Sequence, residues 1–78
     1  MRVIHDYGLV RVVSLGDPFK HSRDIQVQYQ RDGEWHLYQG FNSLSDDYAY
    51  TNAREAAGRA IKGIAARKAA EIAGASQC

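Results

Sequence analysis

Residues 24–30, DIQVQYQ, alternate strictly between apolar and polar side chains. Ile25, Val27 and Tyr29 fall on one side of such a segment, and the glutamines at positions 26, 28 and 30 fall on the other. A period of two with β-branched and aromatic residues is typical of a half-buried strand. Residues 31–34, RDGE, follow, and their central Asp-Gly supplies the positive φ of a hairpin turn. The pattern predicts a strand that enters a tight turn.

The segment after the turn, residues 35–41, predicts the returning strand of this hairpin. By simple alternation one face receives Trp35, Leu37 and Phe41, and the other receives His36 and Tyr38. An antiparallel sheet can leave one face in water. The residues expected on that solvent-facing side are Gln26, Gln28, Gln30, His36 and Tyr38.

Branched apolar residues dominate the first part of the chain, MRVIHDYGLVRVVSL, and this is strand composition. Gly8 interrupts the run. Either one long strand is bulged near Gly8, or two short strands are joined by a turn at Asp6-Tyr7-Gly8. Gly16-Asp17-Pro18 then ends the segment, because proline cannot donate to a strand ladder. Three or four strands are therefore expected within residues 2–41.

Asn52 to Ala73 is the only segment long enough for a full helix. Asn52 stands three residues before Glu55, which approximates a capping box, and Thr51 is the competing cap. On a helical wheel one side receives Ala57, Ile61, Ile64, Ala65 and Ile72, flanked by Ala53 and Ala60. This thin apolar stripe lets the helix lie close to a sheet, although Lys68 falls inside it.

The connection over residues 42–51 is polar, and its Ser45-Asp46-Asp47 run is suited to capping a short helical turn. Gly74 is expected to end the helix, leaving a tail over residues 74–78. Together these elements predict a single α+β domain over residues 1–78. One face of a three- to four-stranded antiparallel sheet is covered by a single long C-terminal helix.

Composition limits what such a domain can be. With 78 residues the core is small, and it contributes roughly 3–5 kcal/mol of stability. Cys78 is the only cysteine, which excludes an intrachain disulfide and fits a reducing compartment. The chain has no apolar run of about 18 residues, the length that predicts a membrane span, and the N-terminus lacks the pattern of a signal peptide. A cytoplasmic protein is therefore expected.

The residue pattern does not support enzymatic chemistry. No serine is framed by a nucleophile elbow or a Gly-rich oxyanion turn. The three histidines and Cys78 lack the close spacing of zinc ligands. Gly58 and Gly63 lie inside the predicted helix rather than in a phosphate-binding loop. We therefore expect a protein that has no catalytic residue, metal or cofactor.

Charge raises one alternative, a small DNA- or RNA-binding module. The net charge is only +1, but residues 53–74 carry a surplus of three positive charges. The exposed cations expected on the helix are Arg59, Lys62 and Arg67, and glutamines of the sheet could face base edges. The stretch YQGFNS, followed by an Ala-rich helix, resembles the arm-type DNA-binding domains of phage integrases, in which a Gly-Phe ends the third strand. Acidic side chains on the sheet side and the low net charge argue against this alternative.

In size, order of elements and lack of an enzymatic signature, the chain resembles the small phage-encoded anti-CRISPR proteins. Several of these are a short antiparallel sheet plus a helix. The likeness lies in architecture, so no functional residue is carried over by position. It implies a stoichiometric inhibitor from a phage or other mobile element, acting in the bacterial cytoplasm. Such an inhibitor docks on a bacterial immune effector complex and blocks its DNA binding or its recruitment of a nuclease.

Two surfaces are candidates for contact with such a host protein or ribonucleoprotein complex. One is the sheet surface formed by Gln26, Gln28, Gln30, His36 and Tyr38, and the other is the helix surface formed by Arg59, Lys62 and Arg67. Tyr38 is the strongest single candidate, because tyrosine offers contact area and a hydroxyl at small entropic cost and is enriched at interface hot spots. The thin core also suggests a homodimer.

Overall fold

A computed structural model describes the backbone of residues 1–76 and the side chains of residues 1–67. Predictions about the Lys68 and Ile72 side chains and about Cys78 fall outside these described residues. The elements in chain order are β1 (Arg2–Asp6), β2 (Val10–Ser14), β3 (Ile25–Arg31), β4 (Glu34–Phe41) and α1 (Ala49–Ser76). The strands form one antiparallel sheet in the order β1-β2-β3-β4, with α1 packed on one face. The predicted α+β architecture is confirmed.

Gly8 lies in a turn between two strands, so the sheet has four strands rather than three. Its φ is +88°, a conformation that glycine adopts without steric cost. The backbone N–H of Tyr7 donates to the Val10 carbonyl at 2.8 Å, and the N–H of Gly8 donates to Asp6 Oδ1 at 2.9 Å. A bulge between Val3 and His5 also interrupts the β1–β2 register.

The turn between β3 and β4 has two central residues, Asp32 and Gly33, with φ of 54° and 80°. Two positive φ values define a type I′ turn, the tight connection that matches the twist of a hairpin. The residues paired outward from this turn are Arg31 with Glu34, Gln30 with Trp35, Tyr29 with His36, and Gln28 with Leu37.

Beyond Leu37 the register shifts by one residue, because Tyr38 is the extra residue of a bulge and Val27 pairs with Gln39. The pairs between the turn and this bulge correct the predicted faces of β4. Trp35 and Leu37 share the face of the glutamines, whereas His36 and Tyr38 lie on the helix side. Simple alternation placed all four on the wrong face. Phe41 is on the helix side with Ile25, because the bulge reverses the alternation.

The helix begins at Ala49, before the predicted Asn52, so neither Asn52 nor Thr51 is its cap. Asp46 caps the start: Oδ1 accepts from the N–H of Tyr48 at 2.9 Å, and Oδ2 accepts from Asn52 Nδ2 at 2.9 Å. The Ser45-Asp46-Asp47 run was expected to cap a short helical turn, and its Asp46 caps the long helix α1 instead. At the other end α1 continues past Gly74 to Ser76, so Gly74 is not the helix stop.

The core is formed by alanines of α1 against valines and isoleucine of the sheet. Fully buried helix residues are Ala49, Ala53, Ala56, Ala57 and Ala60, and the sheet residues beneath them are Val10, Val12, Ile25 and Val27. Small side chains let the helix backbone approach the strands closely. The predicted stripe is correct for Ala53, Ala57, Ala60 and Ile64, which are buried or packed against the core, but Ile61 is 39% exposed and Ala65 is exposed. Ile61 lies beside Tyr7 and Leu9 of the β1–β2 turn rather than over the centre of the sheet.

The helix is longer than the sheet it covers. Its 28 residues span about 42 Å, whereas the eight residues of β4 span about 27 Å. The Cα radius of gyration is 14.6 Å, compared with about 11.5 Å for a compact domain of this length. The molecule measures 52 × 23 × 17 Å, and the end of α1 accounts for this elongation.

Candidate binding surface

The face of the sheet turned away from α1 is called the open face here. The strand registers place on it Val3, Arg11, Val13, Gln26, Gln28, Gln30, Trp35 and Leu37. The predicted glutamines are therefore together, on three alternating positions of β3, and all three are half-buried. The open face also brings in residues from β1, β2 and β4 that were not predicted as site residues.

Arg11 and Trp35 form the centre of the open face. The Arg11 guanidinium carbon lies 4.0 Å from the centroid of the Trp35 ring, which is the geometry of a cation–π contact. Trp35 is the only tryptophan of the chain. Such contacts contribute about 0.5–1 kcal/mol when they are solvent-exposed. The pair therefore holds a large aromatic ring and a cation in a fixed relative position.

A row of side-chain hydrogen bonds crosses the open face from Arg11. Arg11 Nε donates to Gln28 Oε1 at 2.8 Å, and Gln28 Nε2 donates to Gln26 Oε1 at 3.0 Å. Gln26 Nε2 in turn donates to the Arg23 carbonyl at 3.2 Å. The side-chain amides of Gln26 and Gln28 each donate one hydrogen bond and accept one in this row. Each amide has a second N–H and a second lone pair, which remain for another molecule. The arrangement is ordered before any partner binds.

Apolar side chains flank this polar row. Val13 lies between Val3 and Gln26 and is fully buried although no helix covers it. Val3 is 45% exposed on one edge strand, and Leu37 is 43% exposed on the other. The open face thus combines an aromatic–cation centre, hydrogen-bonding amides and exposed apolar margins.

The remaining predicted site residues, with the exception of Lys62, form a second group between the helix side of β4 and α1. His36 stacks on Tyr29 with ring centroids 5.3 Å apart. Tyr38 lines a shallow groove between β4 and α1 together with Tyr29, Arg59, Ala60, Gly63, Ile64 and Arg67. Arg59 Nη2 donates to Gln39 Oε1 at 3.4 Å across this groove. Lys62 is exposed on α1 and does not line the groove.

Asp24 is the buried charged side chain of the described chain, and its role is structural. Its carboxylate accepts from the Ser43 hydroxyl at 2.6 Å and from the Ser43 N–H at 2.9 Å. Burial by itself raises the pKa of Asp24, but these hydrogen bonds outweigh burial and the pKa is lowered overall. Nearby, Asn42 Nδ2 donates to the carbonyls of Pro18 and His21. The polar connection that leads into α1 is fastened in this way to the start of β3.

Two features are not found among the described residues, a metal-binding cluster and a membrane-spanning helix. Within that part of the chain, no three His, Cys, Asp or Glu side chains lie close enough together to hold a metal ion. Every buried side-chain nitrogen or oxygen there has a hydrogen-bond partner. The one described helix, α1, lacks the apolar length needed to cross a membrane.

Comparisons with protein-family models, with curated proteins and with solved structures find no match to this chain. The candidate surface therefore stands on its geometry alone. The residues that the sequence reasoning missed are Arg11, Trp35 and Leu37. Counting pairs back from a two-residue Asp32-Gly33 turn places Trp35 beside Gln30, and that signal was present in the sequence.

Proposed function

We propose that this protein is a non-enzymatic binding module that inhibits a host protein or ribonucleoprotein complex by docking through the open face. The observation that carries the proposal is the Arg11–Trp35 pair, joined to Gln28 by a hydrogen bond, on the side of the sheet that α1 leaves uncovered.

Interface chemistry supports a protein partner. Tryptophan and arginine are enriched among the residues that dominate binding energy, and charged residues are depleted at interface centres. The centre of the open face has that composition, with one cation, one large aromatic ring and neutral amides, and the charge of Asp6 lies beside Arg11 on the edge strand β1. Because Arg11 and Gln28 are already hydrogen-bonded to each other, binding orders fewer side chains and costs less entropy.

The resemblance to small anti-CRISPR proteins supplies the class of partner. It supports a phage or mobile-element protein that acts in the cytoplasm of a bacterial host. The partner is then a bacterial immune effector complex, and the bound inhibitor blocks its DNA binding or its recruitment of a nuclease.

The test uses a panel of purified bacterial immune effector complexes, with target-DNA affinity and DNA cleavage measured with and without the protein. For a complex that is inhibited, Arg11→Gln and Trp35→Ala should each weaken inhibition at least about tenfold, since hot-spot truncations cost more than about 1–2 kcal/mol. Lys62→Ala is the control, because Lys62 is exposed on α1, away from the open face. Circular dichroism checks that each variant is folded.

Two outcomes contradict the proposal. If the wild-type protein alters neither DNA binding nor cleavage for any complex, the immune-complex partner is wrong. If Arg11→Gln and Trp35→Ala inhibit as well as wild type while Tyr38→Ala does not, the contact surface is the groove between β4 and α1.

A small DNA- or RNA-binding module is the second candidate. The observation that favours it is one arginine beside a row of glutamines, the side chains that read guanine and adenine edges. Asp6 pairs with Arg11 across the strands and adds a negative charge to the same face. If about four phosphates are neutralised, log affinity for duplex DNA falls with a slope near −3.6 against log salt concentration. Absence of duplex binding at low salt eliminates this candidate.

A further inference from the structure

Strand β4 is an uncapped edge of the sheet. It is the last strand in the order β1-β2-β3-β4, and within residues 1–76 no strand pairs with its outer side. Residues 35–41, WHLYQGF, contain no Lys, Arg, Asp, Glu or Pro, the residue types that block edge pairing. At the opposite edge β1 has only five residues and carries charges at both ends, whereas β4 has eight residues and one terminal charge, Glu34; each of the two strands has one bulge. Of the two edges, β4 is therefore the one suited to pairing with another strand.

The type I′ turn determines which backbone groups of β4 point outward. In a turn of this kind the residues that flank the two central ones, Arg31 and Glu34, form a hydrogen-bonded pair. Hydrogen-bonded and non-hydrogen-bonded pairs alternate along an antiparallel ladder. The backbone groups of Glu34 and His36 therefore bond inward to β3, and those of Trp35 and Leu37 point away from it.

We infer that a second copy of this chain pairs with this edge, β4 against β4, antiparallel about a two-fold axis at His36. In that register Trp35 of each copy lies opposite Leu37 of the other. Both residues have outward backbone groups, so the two symmetric pairs form four N–H···O=C hydrogen bonds. His36 lies opposite itself in a non-hydrogen-bonded pair, as its inward backbone bonds require.

The side chains are self-complementary in the same register. Trp35 and Leu37 both lie on the open face, so their cross-strand contact joins two apolar groups. Glu34 lies opposite Tyr38, and both are on the helix side, so no like charges meet. A register centred on Leu37 instead places Trp35 opposite Gln39, which the bulge at Tyr38 has turned to the other face. Of these two registers, the one centred on His36 keeps facing side chains on a common face, and the two-fold contact closes without leaving an edge to extend.

Pairing doubles the open face. Four strands spaced about 4.8 Å apart and about 17 Å long give a surface of roughly 19 by 17 Å, an area of about 320 Å². This area is well below the roughly 800 Å² that a standard interface uses on each side. Two copies give a continuous face about 38 Å wide with two Arg11–Trp35 pairs. This consequence rests on the proposed function, whereas the pairing itself does not.

The first test is sedimentation equilibrium over a concentration series, for which the inference predicts association from 8.7 kDa to twice that mass. Leu37→Lys places a charge opposite Trp35 of the second copy and should abolish the dimer. Val3→Lys is the matched control, because Val3 lies on the same face with 45% exposure against 43% for Leu37, but on the β1 edge. It should leave the dimer intact.

The second test measures the register by oxidative cross-linking in a Cys78→Ser background, which removes the only native thiol. Non-hydrogen-bonded pairs have Cα atoms about 4.5 Å apart, within the range for a disulfide. His36→Cys should therefore form a covalent dimer. Leu37→Cys should not, because two copies of that residue are diagonal neighbours about 7–8 Å apart. Val3→Cys should also remain monomeric.

A mass of 8.7 kDa at the highest concentration overturns the inference. So does a dimer that Val3→Lys disrupts and Leu37→Lys does not, or cross-linking that is stronger through Leu37→Cys than through His36→Cys. These readouts involve no partner, so they are independent of any result with an immune effector complex.

Discussion

Both faces of the sheet bury valines, but the side chains that cover those valines differ between the two faces. On the helix side, Val12 and Val27 are covered by alanines whose small side chains set a close distance between helix and sheet. On the open face, Val13 is equally buried without a helix, between Val3 and Gln26 of the neighbouring strands. A close helix–sheet contact leaves no room for added atoms. Residues of a polar surface layer can be substituted at small cost to stability. The open face is therefore the face on which a binding site can be built.

The largest expected effect is on the helix side. Ala56→Leu adds three carbon atoms at a position with 0% exposure, and overpacking of this kind costs about 1–3 kcal/mol. That is a large part of the roughly 3–5 kcal/mol available to a core of this size. Urea unfolding measures the loss. Ala66→Leu, at an exposed position of the same helix, should change the free energy of unfolding by less than about 0.5 kcal/mol. Equal effects at the two positions contradict the close-contact explanation.

A second effect concerns the connection that leads into α1. Asp24→Asn replaces one of the two carboxylate oxygens that accept from Ser43 by an amide donor, and it should lower the free energy of unfolding by about 1–3 kcal/mol at neutral pH. The pKa of Asp24 is lowered in the folded state, so its carboxylate stabilises the fold at pH values above about 4, its unfolded pKa. That contribution is lost as pH falls through the folded pKa.

The measurement is the free energy of unfolding as a function of pH for the wild type and for Asp24→Asn. The two curves should converge below about pH 4. A gap that stays constant through the acid range shows that the carboxylate charge is not what holds the connection.

The smallest effect on stability is expected on the open face. Arg11→Ala removes a cation–π contact and one hydrogen bond and should cost about 1 kcal/mol. Because Trp35 is the only tryptophan, its fluorescence reports the loss of Arg11 directly, as a shift of emission to longer wavelength. Arg31→Ala, an exposed arginine at the end of β3, should leave both quantities unchanged. A loss as large as that of Ala56→Leu would remove the distinction between the two faces.

Much of this fold could be predicted from local patterns. Strict alternation gave the faces of β3, the Asp-Gly pair gave the turn, and the long Ala-rich segment gave a single covering helix. These features depend on periodicity and on turn chemistry, which are local. The predicted glutamine face is correct for the same reason.

The rest depended on contacts between distant segments. The bulge at Tyr38 reverses the alternation of β4, and no residue type in YQG announces it. The helix was expected to lie on its isoleucines, yet it lies mainly on alanines: Ile64 packs against the core, but Ile61 is 39% exposed beside the β1–β2 turn. The helix start was assigned to Asn52, but Asp46 binds both the first turn and Asn52 itself. Tertiary geometry decides each of these cases.

The order of the strands has a kinetic consequence. Each strand pairs with its neighbour in the chain, so most contacts join nearby residues, and folding at about 10³ per second is typical of such connectivity. A stability of about 4 kcal/mol corresponds to a folded-to-unfolded ratio near 10³. An isolated molecule would then unfold and refold about once per second. Hydrogen exchange of the core amides should show this turnover, and a bound partner or a second copy should slow it.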